Sequence, residues 1–440
     1  NLDRGTTRTT VSDDEGRYTA PELPLGNYQI EAALTGFQTA VRTGISLTVG
    51  RHAVVDLVLT IGEISERVVV TGEAPAVETT TSTMSGLVDE MKIRDLPLNG
   101  RSFSDLMTLQ MGVAKLHIGS KNAASGWGEK ISVSGARPSS NMFLLDGTFA
   151  NDTMSNTPAG SSGFFLGVET LKEFSVLTNT YGAEYGQTMG GIVNAVTKSG
   201  TNELHGSLFY FHRNDNMDAR NFFDTDPSNP LERSSPPEFR RHQYGGTAGG
   251  PIVSDKTFIF GGYEGFRQAL GLSVPIGTLT DDIRACATGP CAYTDPDTGQ
   301  RLPFIDPFTD KELVWAPGVE DYFIFFPQAN SPFVRAPDLG VGEAIINRNK
   351  LAQQDNFVVK VDHIFSDADT LFGRYTFDQS TTNVEQISSV NTITTRSQFL
   401  TLEETHVFSP TLLNVARVGY NRNAVLDRDF TSIDYDPSLQ

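Results

Sequence analysis

The chain has 440 residues, with 53 acidic and 34 basic side chains and a formal net charge of −19. This acidic balance argues against a nucleic-acid partner, because such a partner requires a basic surface. No apolar run reaches the roughly 18 residues of a transmembrane helix. A transmembrane barrel stays open, since alternating apolar and polar strands keep the mean hydropathy low, here −0.23. The 41 glycines and abundant Thr, Asn and Ser favour turns and strands, so we expect a mainly β chain.

Residues 1–62 have the pattern of a small β-sandwich, with strands predicted at 6–11, 27–32 and 53–59. Turn residues separate them. The stretch DDEGRYTAPELPLGNYQIEAALTGFQT resembles the carboxypeptidase regulatory-like, transthyretin-type domain. No HExxH or HxxE zinc motif is present in the sequence, so this resemblance implies no peptidase and no metal. Carbohydrate binding by this domain remains an alternative.

Residues 63–85 hold one short apolar strand, ERVVVTGE, followed by a Thr- and Ser-rich stretch typical of a flexible linker. A β-prone strand on a loose linker is suited to pairing with the sheet edge of another protein. The strand resembles the TonB box of outer-membrane receptors, and the resemblance implies contact with TonB through Val68, Val69, Val70 and Thr71. The alternative is that the strand ends the first domain or begins the next one.

Residues 86–200 form the next unit, with one amphipathic helical segment at 102–109 and strands predicted at 131–137, 142–146 and 171–177. The unit ends in GGIVNAVTKSGTN and resembles the α+β plug domain of TonB-dependent receptors. The resemblance implies ligand contact at the plug apex, for which the candidates are Trp127, Phe143, Asp146 and Phe149.

Residues 201–440 read as the N-terminal part of a transmembrane antiparallel β-barrel, with strands of about ten residues. Apolar and polar residues alternate most clearly from 355 to 366 and from 370 to 379. The links at 251–255, 366–369 and 409–411 are short, whereas those at 214–239, 268–354 and 380–397 are long. Outer-membrane barrels have short periplasmic turns and long extracellular loops. We predict seven strands, at about 204–213, 240–250, 256–267, 355–366, 370–379, 398–408 and 412–421.

The long link 268–354 contains the only two cysteines, Cys286 and Cys291, in the turn CATGPC. In an oxidising compartment this spacing predicts a disulfide-closed turn, and two free loop thiols are the alternative. Trp315 and the aromatic run at 322–326 could stack on a flat ligand, or the loop could pack on itself as a lid.

Taken whole, the chain resembles a TonB-dependent outer-membrane receptor of the Oar-like type. The resemblance implies residence in the outer membrane of a Gram-negative bacterium, in contact with its lipid, and import of an extracellular ligand driven by TonB. The ligand class is left open between oligosaccharide, siderophore, peptide and cobalamin. No cofactor or enzymatic centre is expected, because no nucleophile, base and orienting group converge in the pattern. An adhesive or structural barrel is the alternative. Seven strands cannot close around a plug, so we expect the natural chain to continue beyond Gln440. The sequence starts at Asn1 with neither an initiator Met nor a signal peptide, so we expect its first residues to be missing as well.

Overall fold

The structure is a computed structural model that describes most of the chain. The described residues are 1–62, 67–71, 83–96, 98, 101–116, 130–151, 166–186, 188–219, 225–226, 229–233, 236–286, 291–295, 297–306, 308–331, 334–409 and 411–432.

The N-terminal domain is built on one three-stranded sheet in the order β1-β2-β3. Strands β1 and β2 are antiparallel, and β3 runs parallel to β2. Tyr28, Ile45 and Val55 form the buried core of the domain. Residues 6–11 and 53–59 were predicted as strands but form no regular strand, although Val55 still packs into the core. The strands are β1 (Gly26–Ala32), β2 (Thr39–Leu47) and β3 (Arg67–Thr71).

The plug unit has a five-stranded mixed sheet in the order β4-β9-β10-β7-β8. Strand β10 pairs antiparallel with β9 and parallel with β7, so it lies at the centre of the sheet. Phe103, Leu106 and Met107 bury the predicted apolar face of α2 against this sheet. The elements are β4 (Met84–Val88), α1 (Glu90–Asp95), α2 (Phe103–Met107), β5 (Val113–Lys115), β6 (Ile131–Val133), β7 (Met142–Leu145), β8 (Thr148–Phe149), β9 (Leu171–Asn179) and β10 (Ile192–Thr197).

The remainder is dominated by a seven-strand antiparallel meander in the order β11-β14-β15-β21-β22-β23-β24, with β20 paired to β21 off this path. The predicted strands are therefore all present. Short hairpins and α3 lie in the links between them. The elements are β11 (His205–Asn214), β12 (Thr225–Asp226), β13 (Asn229–Arg233), β14 (Phe239–Val253), β15 (Thr257–Leu279), α3 (Asp281–Ala285), β16 (Ala292–Thr294), β17 (Arg301–Pro303), β18 (Ile305–Asp306), β19 (Lys311–Glu312), β20 (Val334–Ala336), β21 (Val341–Ile364), β22 (Asp369–Glu385), β23 (Ser389–Ser409) and β24 (Leu412–Thr431).

The two faces of the meander differ as the alternation predicted. Along β22 the polar residues Arg374, Thr376 and Asp378 are buried, whereas Tyr375 and Phe377 point to the opposite face. The aromatic rings of that outer face contact one another across strands, with the Phe357 and Phe377 centroids 5.4 Å apart. An apolar, aromatic outer face and a polar inner face are the arrangement of a membrane barrel wall.

The strands are longer than predicted, and this changes the links. Strand β21 has 24 residues and β15 has 23, so the link between them shrinks to 280–340. The predicted long link 380–397 is wrong. Strands β22 and β23 remain paired with each other as far as Glu385 opposite Val390, so only a tight turn connects them. No helix among the described residues combines the length and the apolar character needed to cross a bilayer.

Candidate functional site

The predicted TonB-contact strand forms the outer edge of the N-terminal sheet. Val68, Val69 and Val70 of β3 lie opposite Ala40, Val41 and Arg42 of β2. Their exposed fractions are 40%, 60% and 51%. Since β3 ends the order of its sheet, its second edge has no strand partner among the described residues. The predicted boundary at residue 62 therefore cuts through one sheet. The role of Val68–Thr71 in TonB contact stays a prediction.

The N-terminal domain meets the barrel wall and the plug at the end of the meander that carries the turns after Val253, Ile364 and Ser409. Arg4 pairs with Asp362 of β21 at 3.1 Å, and its guanidinium lies 5.6 Å from the Phe258 ring centroid. The backbone of Asn202, in the link from plug to barrel, donates to the Asp3 carbonyl at 3.3 Å. The N-terminal domain is thus held directly beside the hinge where the barrel begins.

Two adjacent plug residues complete this docking. Lys172 Nζ donates to the Leu25 carbonyl at 3.2 Å, and Glu173 accepts a hydrogen bond from the Val49 backbone N–H. Burial lowers the pKa of Lys172 and raises the pKa of Glu173. Both charged forms are therefore less favoured here than in water, as expected when a domain covers them.

Asp146 lies at the tip of the β7–β8 hairpin. Asp146 and Gly147 both have positive φ, 45° and 73°, as a two-residue type I′ turn requires. Its carboxylate accepts from Thr197, at 3.0 Å from the backbone N and 2.7 Å from Oγ1. The hairpin is therefore tied to the end of the central plug strand β10.

The same carboxylate contacts two cations of the barrel wall. Oδ1 lies 3.3 Å from Lys360 Nζ, and Oδ2 lies 2.9 Å from Arg374 Nε, in an ion-pair contact that is not aligned as a hydrogen bond. Burial alone would raise the pKa of Asp146, but Lys360, Arg374 and the Thr197 hydrogen bonds outweigh it and hold the pKa below its ordinary value. Asp146 is thus a buried anion that joins plug to barrel.

Arg374 extends this junction through hydrogen bonds to both units. It donates to the Leu145 carbonyl of the plug at 3.1 Å and to Thr376 Oγ1 of its own strand at 3.0 Å. Thr148 and Thr401 exchange a further hydrogen bond of 2.7 Å between plug and β23. We call Asp146, Thr148, Lys360, Arg374 and Thr401 the plug–wall junction.

The structure corrects where the predicted ligand-binding residues lie. Asp146 is close to the short-turn end of the strands, not at the plug apex, and its oxygens are taken by the junction. Phe143 is 4% exposed in the plug core, whereas Phe149 is 44% exposed and its carbonyl accepts from Asn421. Trp127 lies outside the described residues. Ligand contact by these residues stays a prediction.

A second plug contact with the wall was not predicted. Arg101 pairs with Glu169 at 2.6 Å, and its guanidinium stacks 4.6 Å and 4.5 Å from the ring centroids of Phe209 and Phe211 in β11. The aromatic strand β11 was recognisable in the sequence, but nothing near Arg101 indicated its partner.

The long link 280–340 packs on itself, as the lid alternative proposed. Trp315 Nε1 donates to the Ile283 carbonyl at 3.2 Å and lies against a small core that includes Phe304. Tyr322 and Phe326 remain 44% and 45% exposed. Only part of the aromatic run is therefore available to a ligand.

The predicted disulfide is absent from the structure: Cys286 and Cys291 are free thiols. Cys286 is buried in the core of the link and lies beside Cys291. Burial and a hydrogen bond with Cys291 raise the pKa of the Cys286 thiol to about 12. In this environment the thiol form is favoured over the reactive thiolate.

Two known protein families match this chain, one at its N-terminal end and one over its C-terminal half. Residues 196–438 match the family described as Outer membrane beta barrel domain, and residues 1–60 match the Carboxypeptidase regulatory-like domain. The TonB-dependent transporter Oar of Myxococcus xanthus is 28% identical over 265 residues, which are 58% of this chain and 23% of the relative. The chain thus spans less than a quarter of that relative's length.

Solved structures with a similar chain path have lower sequence identity to this chain. The outer membrane transporter YddB of Escherichia coli has 16% identity and a TM-score of 0.48, covering 77% of this chain and 38% of its own. BauA, the ferric preacinetobactin receptor of Acinetobacter baumannii, has 12% identity and a TM-score of 0.39, covering 81% of this chain and 50% of its own.

Proposed function

Because the chain belongs to the outer membrane beta barrel domain family and carries a regulatory-like domain at its N-terminal end, we propose that it works as the plug-bearing part of a TonB-dependent receptor. Membership of this family places the protein in the outer membrane of a Gram-negative bacterium, and its relatives are transporters and receptors, not enzymes. The receptor imports an extracellular ligand, and TonB supplies the energy.

The observation that carries the proposal is the position of β3. Within the part of the chain that the structure describes, this strand has one edge without a strand partner, and it carries three exposed valines. It belongs to a domain docked at the hinge between plug and barrel. A partner strand can add to such an edge through main-chain hydrogen bonds. A pull on this sheet would act on Asp3 and Arg4, and so on the hinge and the wall. TonB contact at Val68–Thr71 therefore has a mechanical path to the plug.

Movement of the plug requires the plug–wall junction to open. The junction places one carboxylate between two cations of the wall, so its contacts are lost together when the β7–β8 hairpin moves. Polar side chains on the inner face of β22 would then face the passage. We infer that TonB-driven opening begins by separating Asp146 from Arg374.

Substitution of Val69→Pro tests the coupling step. Proline removes the backbone N–H at the centre of β3 and restricts φ, so it disrupts strand pairing there. We expect titration calorimetry to show loss of binding between the detergent-solubilised receptor and the periplasmic domain of TonB. Cells with this variant should also lose accumulation of the ligand.

The matched control is Val58→Pro, at a position that is 82% exposed and outside any strand. It should bind TonB as the wild type does. Undiminished TonB binding by a well-folded Val69→Pro receptor would refute the coupling role of β3, and the adhesive or structural barrel would then be the better account.

Ligand contact is proposed for the exposed aromatics of the long link and for Phe149 of the plug. Tyr322 and Phe326 offer flat apolar surface on the side of the long links. Native mass spectrometry with panels of oligosaccharides, ferric siderophores and peptides would identify the ligand class. The double variant Tyr322→Ala/Phe326→Ala should lose the bound species, whereas Phe308→Ala, at a position 95% exposed on the same link, should keep it. Equal retention by both variants would exclude these two rings.

A further inference from the structure

One histidine and two carboxylates converge on the outer face of the meander. The plug–wall junction lies on the opposite, inner face of the same sheet. Asp369, Glu404 and His406 each present one ligand atom, and the three atoms lie within 4.8 Å of one another. We propose that these residues form a binding site for a divalent transition metal of the zinc class on the β22–β23 hairpin.

The register of the two strands creates this convergence. Asp369 is directly opposite His406, and Leu371 is directly opposite Glu404. Side chains two positions apart share one face of a strand, so Glu404 and His406 project to the same side. Asp369 joins them from the neighbouring strand. All three positions belong to paired backbone near the short-turn end, and the site therefore does not depend on a loop conformation.

The donor set selects the class of metal. An imidazole nitrogen with two carboxylate oxygens suits Zn²⁺, which binds such atoms at about 2.0–2.2 Å and leaves a fourth position for water. Calcium and magnesium favour sites made of oxygen alone. A tetrahedral ion at these bond lengths places its ligand atoms about 3.4 Å apart, so small side-chain rotations close the present arrangement around an ion.

A simple hydrogen bond accounts for only two of the three residues. His406 Nδ1 contacts Asp369 Oδ1, and Ser366 Oγ donates to Asp369 Oδ2 at 3.2 Å. Glu404, in contrast, has no hydrogen-bond or ion-pair partner among the residues that the structure describes. Its neighbour Glu403 points to the other face and pairs with Arg417. An unpaired carboxylate at the rim of a lipid-facing wall is stabilised by a bound cation.

The test is zinc titration of the whole receptor, purified in detergent with no polyhistidine tag and stripped with EDTA. Calorimetry should show one Zn²⁺ bound per chain in the wild type. Glu404→Gln and His406→Ala should each lower the affinity by about tenfold or more, since loss of even an outer-shell partner costs about 10–100-fold. Folding of each variant is verified by the change in electrophoretic mobility that a barrel shows on heating.

Two matched controls separate the site from general binding to an acidic protein. Glu403→Gln removes the adjacent carboxylate from the opposite face, and His363→Ala removes a histidine that contacts Thr257 on a neighbouring strand. Both should bind zinc as the wild type does. Equal affinity in all four variants, or no saturable binding by the wild type, would overturn the site and leave a His406–Asp369 hydrogen bond only.

Cobalt gives a readout that does not depend on any variant folding. Co²⁺ in the wild-type site should show the strong visible absorption of a four-coordinate ion, and Zn²⁺ should displace it. The weak spectrum of an octahedral, mostly hydrated ion would contradict the proposed ligand set.

Discussion

Asp146 combines a turn conformation that few side chains adopt with a buried position against two cations. The position of Asp146 in a turn could be predicted from the sequence, since an Asp-Gly pair between apolar residues is a strong hairpin signal. Its ion pairs with the barrel wall could not. Lys360 and Arg374 follow more than 200 positions later, and no local pattern specifies which inward-facing side chain of a barrel meets which plug residue.

Asp146→Asn tests the junction. The substitution leaves Arg374 and Lys360 buried without their anion, and removal of one partner from a buried pair costs about 3–5 kcal/mol. We expect thermal unfolding, followed by circular dichroism in detergent, to show a loss of this size. Asp355→Asn is the control, because the Asp355–Arg267 pair is half exposed and such pairs contribute about 0–1 kcal/mol. Equal losses in the two variants would contradict the anchoring role.

The same residue predicts a pH dependence. The pKa of Asp146 in the folded protein lies below its ordinary value of 3.8. Its stabilising contribution is therefore complete above the unfolded pKa and is lost as the pH falls through the folded pKa. The unfolding midpoint of the wild type should fall more steeply below about pH 5 than that of Asp146→Asn. Parallel pH profiles for the two proteins would show that the ionised carboxylate does not stabilise the junction.

At the scale of elements, the proposed TonB contact at β3 has two possible forms: addition of a TonB strand to the outer edge of β3, or removal of β3 from β2. Arg42 and Val70 are cross-strand partners, so Arg42→Cys/Val70→Cys would join the two strands covalently, in a background with Cys286 and Cys291 replaced by serine. If TonB adds to the free edge, the oxidised protein should bind the TonB periplasmic domain as the reduced protein does.

Loss of binding on oxidation, restored by dithiothreitol, would instead show that β3 must leave the sheet. Either result is compatible with the proposed contact at β3. If TonB binding did not depend on β3, the Val69→Pro variant would bind TonB unchanged. The two experiments therefore answer different questions.

The elements also show how far periodicity can predict this fold. The seven barrel strands were predicted at their membrane-spanning cores, where lipid contact enforces alternation, as at Phe357, Val359 and Asn356. The extension of β22 and β23 was missed. Around Thr381, Thr382 and Thr394 both faces are polar, so the period-two apolar signal disappears although the strands stay paired.

At the scale of the whole molecule, the order of domains was predictable but their docking was not. The boundaries near residues 62, 86 and 200 stay predictions, and β3 joins the sheet that precedes it along the chain. Contacts such as Arg4–Asp362 join residues on two different units. Such pairs carry no signal in one sequence, because each partner alone looks like an ordinary surface charge.

We propose that the meander crosses the outer membrane with the turns that follow Val253, Ile364 and Ser409, the plug hinge and β3 on the periplasmic side, where TonB can reach them, and with the turn around Ile387 on the cell surface. Single cysteines at Ile387, Asp367 and Val69, placed in the background without Cys286 and Cys291, report this directly with a membrane-impermeant maleimide on intact cells. We expect Ile387→Cys to be labelled at once, whereas Asp367→Cys and Val69→Cys should be labelled only after the outer membrane is permeabilised. Labelling of Val69→Cys or Asp367→Cys on intact cells, with Ile387→Cys protected, would contradict it.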